Sequence, residues 1–140
     1  MKAWTIGTST RSKEDFLNLL KLYDIESIID VRRFPTSRFE HFKKENLEEL
    51  LQESKIAYCH LRGLGGYRGG YQAHMETEEF KSAFSQLCKM AKRERTVIMC
   101  AELLFFRCHR RFISDALVKH GFEVIHILDE ERTNLHKGGK

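Results

Sequence analysis

Thr96-Val97-Ile98-Met99-Cys100 is a nearly all-apolar run that sits between two segments of helical period. Upstream, residues 77–92 place Phe80, Phe84, Leu87 and Ala91 on one stripe. Downstream, residues 108–119 turn Phe112, Ile113, Ala116 and Leu117 the same way, with Gly121 as a C-terminal cap. A strand that is nearly all apolar is expected to be covered on both faces. A covered strand between two helices is one unit of a parallel β/α chain.

The same alternation extends outward in both directions. Residues 3–6 form a short apolar run ending at Gly7, and residues 13–23 carry Phe16, Leu19, Leu20 and Tyr23 at helical spacing. Residues 25–31 are β-branched, residues 45–52 show Leu47, Leu50 and Leu51 on one face, and residues 56–61 and 122–128 are strand-like. The order β-α-β-α-β-α-β-α-β predicts an α/β, three-layer sandwich around a largely parallel five-stranded sheet. It is Rossmann-like and doubly wound, with right-handed crossovers. The 140 residues fit a single α/β domain over 1–140, and one proline leaves no room for a flexible linker. No apolar run approaches the roughly 20 residues of a membrane span, and no secretory signal opens the chain. A cytoplasmic protein without a membrane partner is expected. The four cysteines are then expected as thiols, and no C-x2-C pair suggests a zinc ribbon.

In sheets of this kind ligands bind beyond the carboxyl ends of the strands. Four segments follow the first four strands: residues 7–12, 30–40, 60–71 and 100–111. Together they hold nine of the chain's twelve arginines and no lysine, against three acids, Asp30, Glu40 and Glu102. The net charge of +4 is therefore concentrated on one edge. Arginine without lysine suits a planar fork meeting phosphate or carboxylate, or stacking on a base. The bland reading is a set of braces, with some of these arginines paired to the three acids.

Each segment has two readings. Thr8, Ser9 and Thr10 follow Gly7, so their backbone amides can hold an anion, or Ser12 or Thr10 simply caps the next helix. Asp30-Val31-Arg32-Arg33-Phe34-Pro35-Thr36-Ser37-Arg38 offers Asp30 as a base, a metal ligand or the partner of an arginine. Residues 58–71 hold five of the nine glycines. There Tyr67, Tyr71, Arg62 and Arg68 can stack on bases, or the stretch is a mobile surface loop. Cys100-Ala101-Glu102 and Cys108-His109-Arg110-Arg111 close on a helix start, where a thiol is acidified and anions are favoured. The C-x9-R spacing from Cys100 to Arg110 is not the C-x5-R of cysteine phosphatases. Cys59 and Cys88 read as small core residues. His41, His74, His120, His126 and His136 show no ligand spacing.

These motifs, in order, resemble the domain-of-unknown-function 488 family. They are T-I-G-x-S at Thr5–Ser9, D-V-R-x-x-P-x-S at Asp30–Ser37 and I-x-Y-x-H-L-x-x-L-G-G at Ile56–Gly66. C-A-E at Cys100–Glu102 and C-H-R at Cys108–Arg110 complete the set. The likeness spans about residues 3 to 128, with Thr8 where family members often carry histidine. It implies a compact α/β domain and brings no established activity.

The leading expectation is an enzyme acting on a phosphate-bearing substrate, nucleic acid or nucleotide. Asp30, Glu102 and Cys100 are its candidate catalytic residues. Arg32, Arg33, Arg110 and Arg111 would hold the anion, and Cys108 and His109 would line the pocket. The motif positions Ser9, Ser37, His60, Gly65 and Gly66 complete the binding set. Two carboxylates without a third specify no metal site, and no motif names a cofactor or an oligomeric state. The alternatives are a non-catalytic nucleic-acid-binding module and a thiol-based redox or metal-sensing protein using Cys100 and Cys108.

Overall fold

The computed structural model describes residues 1–66 and 69–137. Its parallel strands are β1 (Lys2–Gly7), β2 (Ser27–Asp30), β3 (Ala57–His60), β4 (Thr96–Cys100) and β5 (Glu123–Ile127). A sixth strand, β6 (Thr133–Leu135), runs antiparallel to β5. The sheet order is β3-β2-β4-β1-β5-β6. The five-stranded expectation is thus corrected to six. The extra strand is three polar or exposed residues on an edge, so it carries no apolar period to read.

The helices are α1 (Lys13–Leu22), α2 (Lys44–Glu53), α3 (Tyr71–His74), α4 (Glu78–Arg93) and α5 (Arg110–Lys119). Ser12 Oγ caps α1 by accepting from the Asp15 amide at 3.1 Å, and Thr77 caps α4 through the Phe80 amide. Two core clusters lie on opposite faces of the sheet. Phe16, Leu20, Leu47 and Leu51 of α1 and α2 pack on Trp4, Ile6, Ile28, Val97 and Met99. Phe84, Leu87, Ile113 and Leu117 of α4 and α5 pack on Ala3, Ile29, Ile98, Cys100 and Val124. The alternation Ile28/Ile29 and Val97/Ile98/Met99 is the period of two that feeds both layers.

From β1 the chain winds through α1 and α2 toward β3 on one face. It then returns through α4 and α5 toward β5 on the other. β2 and β4 are neighbours whose following segments leave in opposite directions. Their carboxyl ends therefore bound the topological switch point, where a doubly wound sheet opens a crevice. Two glycines allow the loops to crowd there. A Cβ on Gly7 would lie 1.9 Å from the Glu102 carbonyl oxygen, and one on Gly65 would lie 2.6 Å from the Arg33 backbone. Among the described residues no helix is long and apolar enough to cross a membrane.

Candidate functional site

A crevice of about 390 Å³ lies at this switch point. Arg32, Phe34 and Thr36 form one bank, and Cys100, Ala101, Glu102, Arg107, Cys108 and His109 form the other. Asp30 and Cys100 approach it from the same edge but leave the sheet on opposite sides. Asp30 is paired in register with Met99, which belongs to the α1/α2 layer, whereas Cys100 belongs to the α4/α5 layer.

On the α1/α2 side Asp30 is buried and fully engaged. Its Oδ1 accepts from the Arg32 amide at 3.1 Å and from Arg32 Nε at 2.9 Å. Its Oδ2 accepts from Arg32 Nη2 at 2.8 Å and from the Tyr58 hydroxyl at 2.6 Å. Arg32 Nη1 donates to the carbonyls of Phe42 and Thr36. Burial, with the Asp30 charge beside it, pushes the Tyr58 hydroxyl far above its ordinary range, so it stays a donor. This is a brace that ties β2, β3 and the 36–42 loop together. Asp30 already accepts four donors and leaves the sheet on the opposite side from Cys100, a geometry that favours the arginine-partner reading of this residue over the catalytic one.

On the α4/α5 side Cys100 Sγ and Cys108 Sγ lie 2.8 Å apart as free thiols. Cys108 Sγ also meets His109 Nδ1 at 3.6 Å and accepts from the Arg110 amide at 3.4 Å, at the start of α5. The neighbouring Cys100 thiol, then His109 and the Arg110 amide, draw Cys108 well below the ordinary thiol range, against the opposing cost of burial. Cys100 moves up, because it keeps the shared proton and is buried. His109 Nε2 is 3.1 Å from the Val31 carbonyl, which can only accept, so that nitrogen carries a hydrogen. Nδ1 is then free to take the Cys108 proton and return a hydrogen bond to the thiolate. The result is a half-buried Cys108 sulfur biased toward the thiolate, in contact with a buried Cys100 thiol and an imidazole nitrogen.

The arginines divide by role. Arg110 is buried, with Nη1 donating to Thr5 Oγ1 at 3.1 Å and Nη2 to the carbonyls of Glu102 and Leu103 at 2.6 and 3.1 Å. Arg33 donates to the Gly66 carbonyl at 2.8 Å and pairs with Glu79. Arg11 donates to the carbonyls of Gly7 and Leu128. Arg111 is exposed over the Phe112 ring. Arg32, Arg33, Arg110 and Arg111 are thus bound to four different sets of partners, and the bracing reading accounts for the first three. Exposed Arg38, Arg62 and Arg107 remain at the edge, and Arg68 and Tyr67 lie outside the described residues.

The remaining expected positions support the loops. The Thr8 and Ser9 amides donate to the carbonyls of Cys100 and Ala101, so they extend the β1–β4 ladder rather than face an anion. Ser37 Oγ accepts from the Phe39 amide, and His60 Nε2 donates to the Arg32 carbonyl. Gly65 lies against Arg33 and Gly66 against His109. Glu102 is exposed and serves through its carbonyl, which receives Arg110. Tyr71 is buried against His109, Phe112 and Phe80, so its expected stacking on bases gives way to core packing. Cys59 and Cys88 are partly buried, and burial raises both thiols.

Histidines that carry no motif form part of the surround. Arg110 Nη1 donates to Thr5 Oγ1, which meets His126 Nδ1 at 2.6 Å; His126 Nε2 lies 2.8 Å from His136 Nδ1, and His136 Nε2 lies 2.7 Å from Asp115. This chain of contacts links the buried guanidinium to the Asp115 carboxylate. Burial, then the nearness of His136 and Arg110, push His126 down to about 3. Phe105, in the loop between the two cysteines, stacks flat on His126 at 3.7 Å. The readable signal was parity: Thr5 and His126 are partners in the β1–β5 register and so face the same layer. No group of three or more His, Cys, Asp or Glu side chains among the described residues is arranged to hold a metal ion.

No curated protein and no solved structure matches the chain. The family described as domain of unknown function DUF488 matches over residues 12–70 and 67–117, which take in α1 through most of α5 and both thiols. The crevice and its Cys100–Cys108 pair are therefore built from matched sequence, and the chain belongs to the DUF488 family.

Proposed function

We propose that the protein is a thiol-based redox protein whose working pair is Cys108 and Cys100. The observation that carries this reading is the 2.8 Å approach of the two sulfurs, with His109 and the Arg110 amide on Cys108 alone. Cys108 is the attacking thiolate. Its sulfur displaces one sulfur of a substrate disulfide, forming a mixed disulfide and releasing one substrate thiolate. Cys100 then loses its proton to the departing substrate thiolate and attacks Cys108 Sγ. The second substrate thiolate leaves, and two electrons have passed from the dithiol to the substrate. The reaction runs in either direction according to the potential of the partner. A reducing compartment such as the cytoplasm holds the pair in the dithiol form.

The test is a redox titration in glutathione buffers followed by peptide mapping. The expected product of oxidation is a Cys100–Cys108 disulfide, formed with loss of two thiols and abolished in Cys108→Ser. Oxidation that leaves this pair reduced while linking or capping Cys59 or Cys88 overturns the reading.

A second reading, an enzyme acting on a phosphate-bearing substrate, is favoured by exposed Arg107 on the crevice wall beside Cys108. It now rests on Arg107 and the thiolate rather than on Asp30. Binding of nucleotide or nucleic acid that weakens with salt, with a slope of about −0.7 to −0.9 per phosphate contact, would support it.

A further inference from the structure

Two arginines are buried among the described residues, Arg32 and Arg110, and they differ in what neutralises them. Arg32 lies against the Asp30 carboxylate. Arg110, on α5, is 1% exposed and meets only neutral groups: the Thr5 hydroxyl and the carbonyls of Glu102 and Leu103. Its Nε has no hydrogen-bond partner among the described residues. The carboxylate that its hydrogen-bond network reaches, Asp115, lies beyond Thr5, His126 and His136. Carbonyls and hydroxyls satisfy donors but leave the charge in place, and an uncompensated buried charge destabilises the fold. Such a charge is useful where an anion forms beside it.

The group placed to become that anion is Cys100. The Glu102 carbonyl accepts from Arg110 Nη2 at 2.6 Å and from Cys100 Sγ at 3.8 Å, so the guanidinium and the buried sulfur share one oxygen. In the resting dithiol Cys100 keeps its proton and the negative charge sits on Cys108. Once a substrate occupies Cys108 as a mixed disulfide, that charge is gone. Cys100 must then ionise at 2% exposure, where water cannot solvate it. The titratable groups around it are Cys108, with His109 behind that sulfur, and Arg110. Its partner on β1 is the uncharged Gly7, and the Asp30 carboxylate leaves the sheet on the other side. Arg110 is the cation that opposes the cost of burial at Cys100.

We propose that the Arg110 guanidinium is the fixed counter-charge of Cys100, a positioning residue that lets the buried sulfur ionise and close the disulfide once Cys108 is occupied. This rests on the dithiol reading above. The Cys100 proton leaves with the first substrate thiolate, and the negative charge settles on Cys100 Sγ near Arg110. That sulfur attacks Cys108 Sγ. The bond between Cys108 and the substrate sulfur breaks, and the second substrate thiolate carries the charge away.

The probe is a symmetrical aromatic disulfide with a coloured thiolate, added to a parent protein carrying Cys59→Ser and Cys88→Ser. Attack by Cys108 releases the first coloured thiolate at a rate that rises with probe concentration. Attack by Cys100 releases the second at a rate independent of it, the Cys100 proton passing to solvent. At one probe concentration near pH 7, Arg110→Gln is expected to lower the ratio of second to first rate by about tenfold or more. The pH midpoint of the second phase should rise by roughly one unit or more, the effect of removing an opposite charge from a nearby acid. Arg110→Lys keeps the charge without the fork and should hold the ratio within about threefold of the parent, a result that decides the matter alone if Arg110→Gln does not fold. A loss of about tenfold in Arg110→Lys, or an unmoved midpoint in Arg110→Gln, overturns the counter-charge and leaves the dithiol intact. A second release that is missing in the parent, or that persists in Cys100→Ser, overturns the dithiol reading itself.

Discussion

The ends of β2 and β4 are adjacent, lie on the same edge and carry the densest motifs of the chain, yet they have been put to opposite uses. At β2 every strong group is satisfied: the Asp30 carboxylate accepts from Arg32 and Tyr58, and Arg32 spends its remaining donors on two carbonyls. At β4 the polar partners converge on a sulfur that still faces a crevice. A buried ion pair with complete hydrogen bonding is inert chemically and costly to break. A thiolate held by one thiol, one imidazole and one amide remains a nucleophile. The pattern of burial and bonding, more than the identity of the charged residues, separates scaffold from site.

The largest effect follows from cutting the brace. Asp30→Ala leaves the Arg32 guanidinium buried without its carboxylate and is expected to cost about 3–5 kcal/mol, as for other broken buried pairs. Cys108→Ser is expected to change stability by no more than about 1 kcal/mol while abolishing disulfide formation. Urea unfolding of the two variants measures the contrast. Equal losses would mean that the thiol pair is part of the scaffold.

Next in size is the pH dependence of the thiols. Cys108 is held below the ordinary thiol range by Cys100 and His109, so its thiolate persists as pH falls from about 8 to 6. Its alkylation by iodoacetamide should then drop by less than about twofold. Burial raises Cys59 and Cys88, and their rates should fall about tenfold per pH unit. Mass spectrometry of labelled peptides reads each site. A tenfold fall per unit at Cys108 would remove the thiolate from the proposal.

The relay beneath Arg110 gives a pH effect on stability rather than on reactivity. His126 is depressed in the folded state to about 3, below the roughly 6.5 of an unfolded histidine. The unfolded chain therefore takes the proton first as pH falls. The stability contributed by neutral His126 is complete above about pH 6.5 and is lost as pH drops toward about 3, at up to about 1.4 kcal/mol per unit. His126→Asn should flatten that part of the stability curve. An unchanged slope would place the acid sensitivity elsewhere.

The contrast between the two strand ends was partly visible in the chain itself. The parallel α/β architecture follows from period alone: the largely apolar run Thr96–Cys100 and the β-branched stretch 25–31 alternate with amphipathic helices, and both layers of the sandwich are built from them. The edge strand Thr133–Leu135 escaped because it buries nothing and so leaves no pattern. Crowding arginines on one edge was readable, but their division into braces and exposed charges was not, since both need the same residue type. Parity would have helped. Counting alternate positions from Ile28 and Ile98 sends Asp30 and Cys100 to opposite faces, whatever their chemistry. Cys108 and its 2.8 Å neighbour needed the loop's path, because the sequence separates them by eight positions.

The finest test asks whether the two faces are independent. Tyr58→Phe removes a 2.6 Å hydrogen bond to Asp30 Oδ2 but leaves that oxygen bonded to Arg32. Hydrogen bonds to a charged acceptor contribute about 1.5–3 kcal/mol. Because Tyr58 is only half-buried, water can take up part of the vacated bond. A loss of about 1 kcal/mol is therefore expected by urea unfolding, well below that of Asp30→Ala. Among the described residues Tyr58 and Cys108 share no hydrogen-bond partner, and they lie on opposite sides of the sheet. The double variant with Cys108→Ser should then equal the sum of the single losses within about 0.5 kcal/mol. The alkylation profile of Cys108 should also be unaltered by Tyr58→Phe. A coupling larger than that, or a shifted profile, would mean that the brace and the thiolate communicate through β2 and β4. The division between an inert and a reactive strand end would then have to be replaced by a single cooperative site.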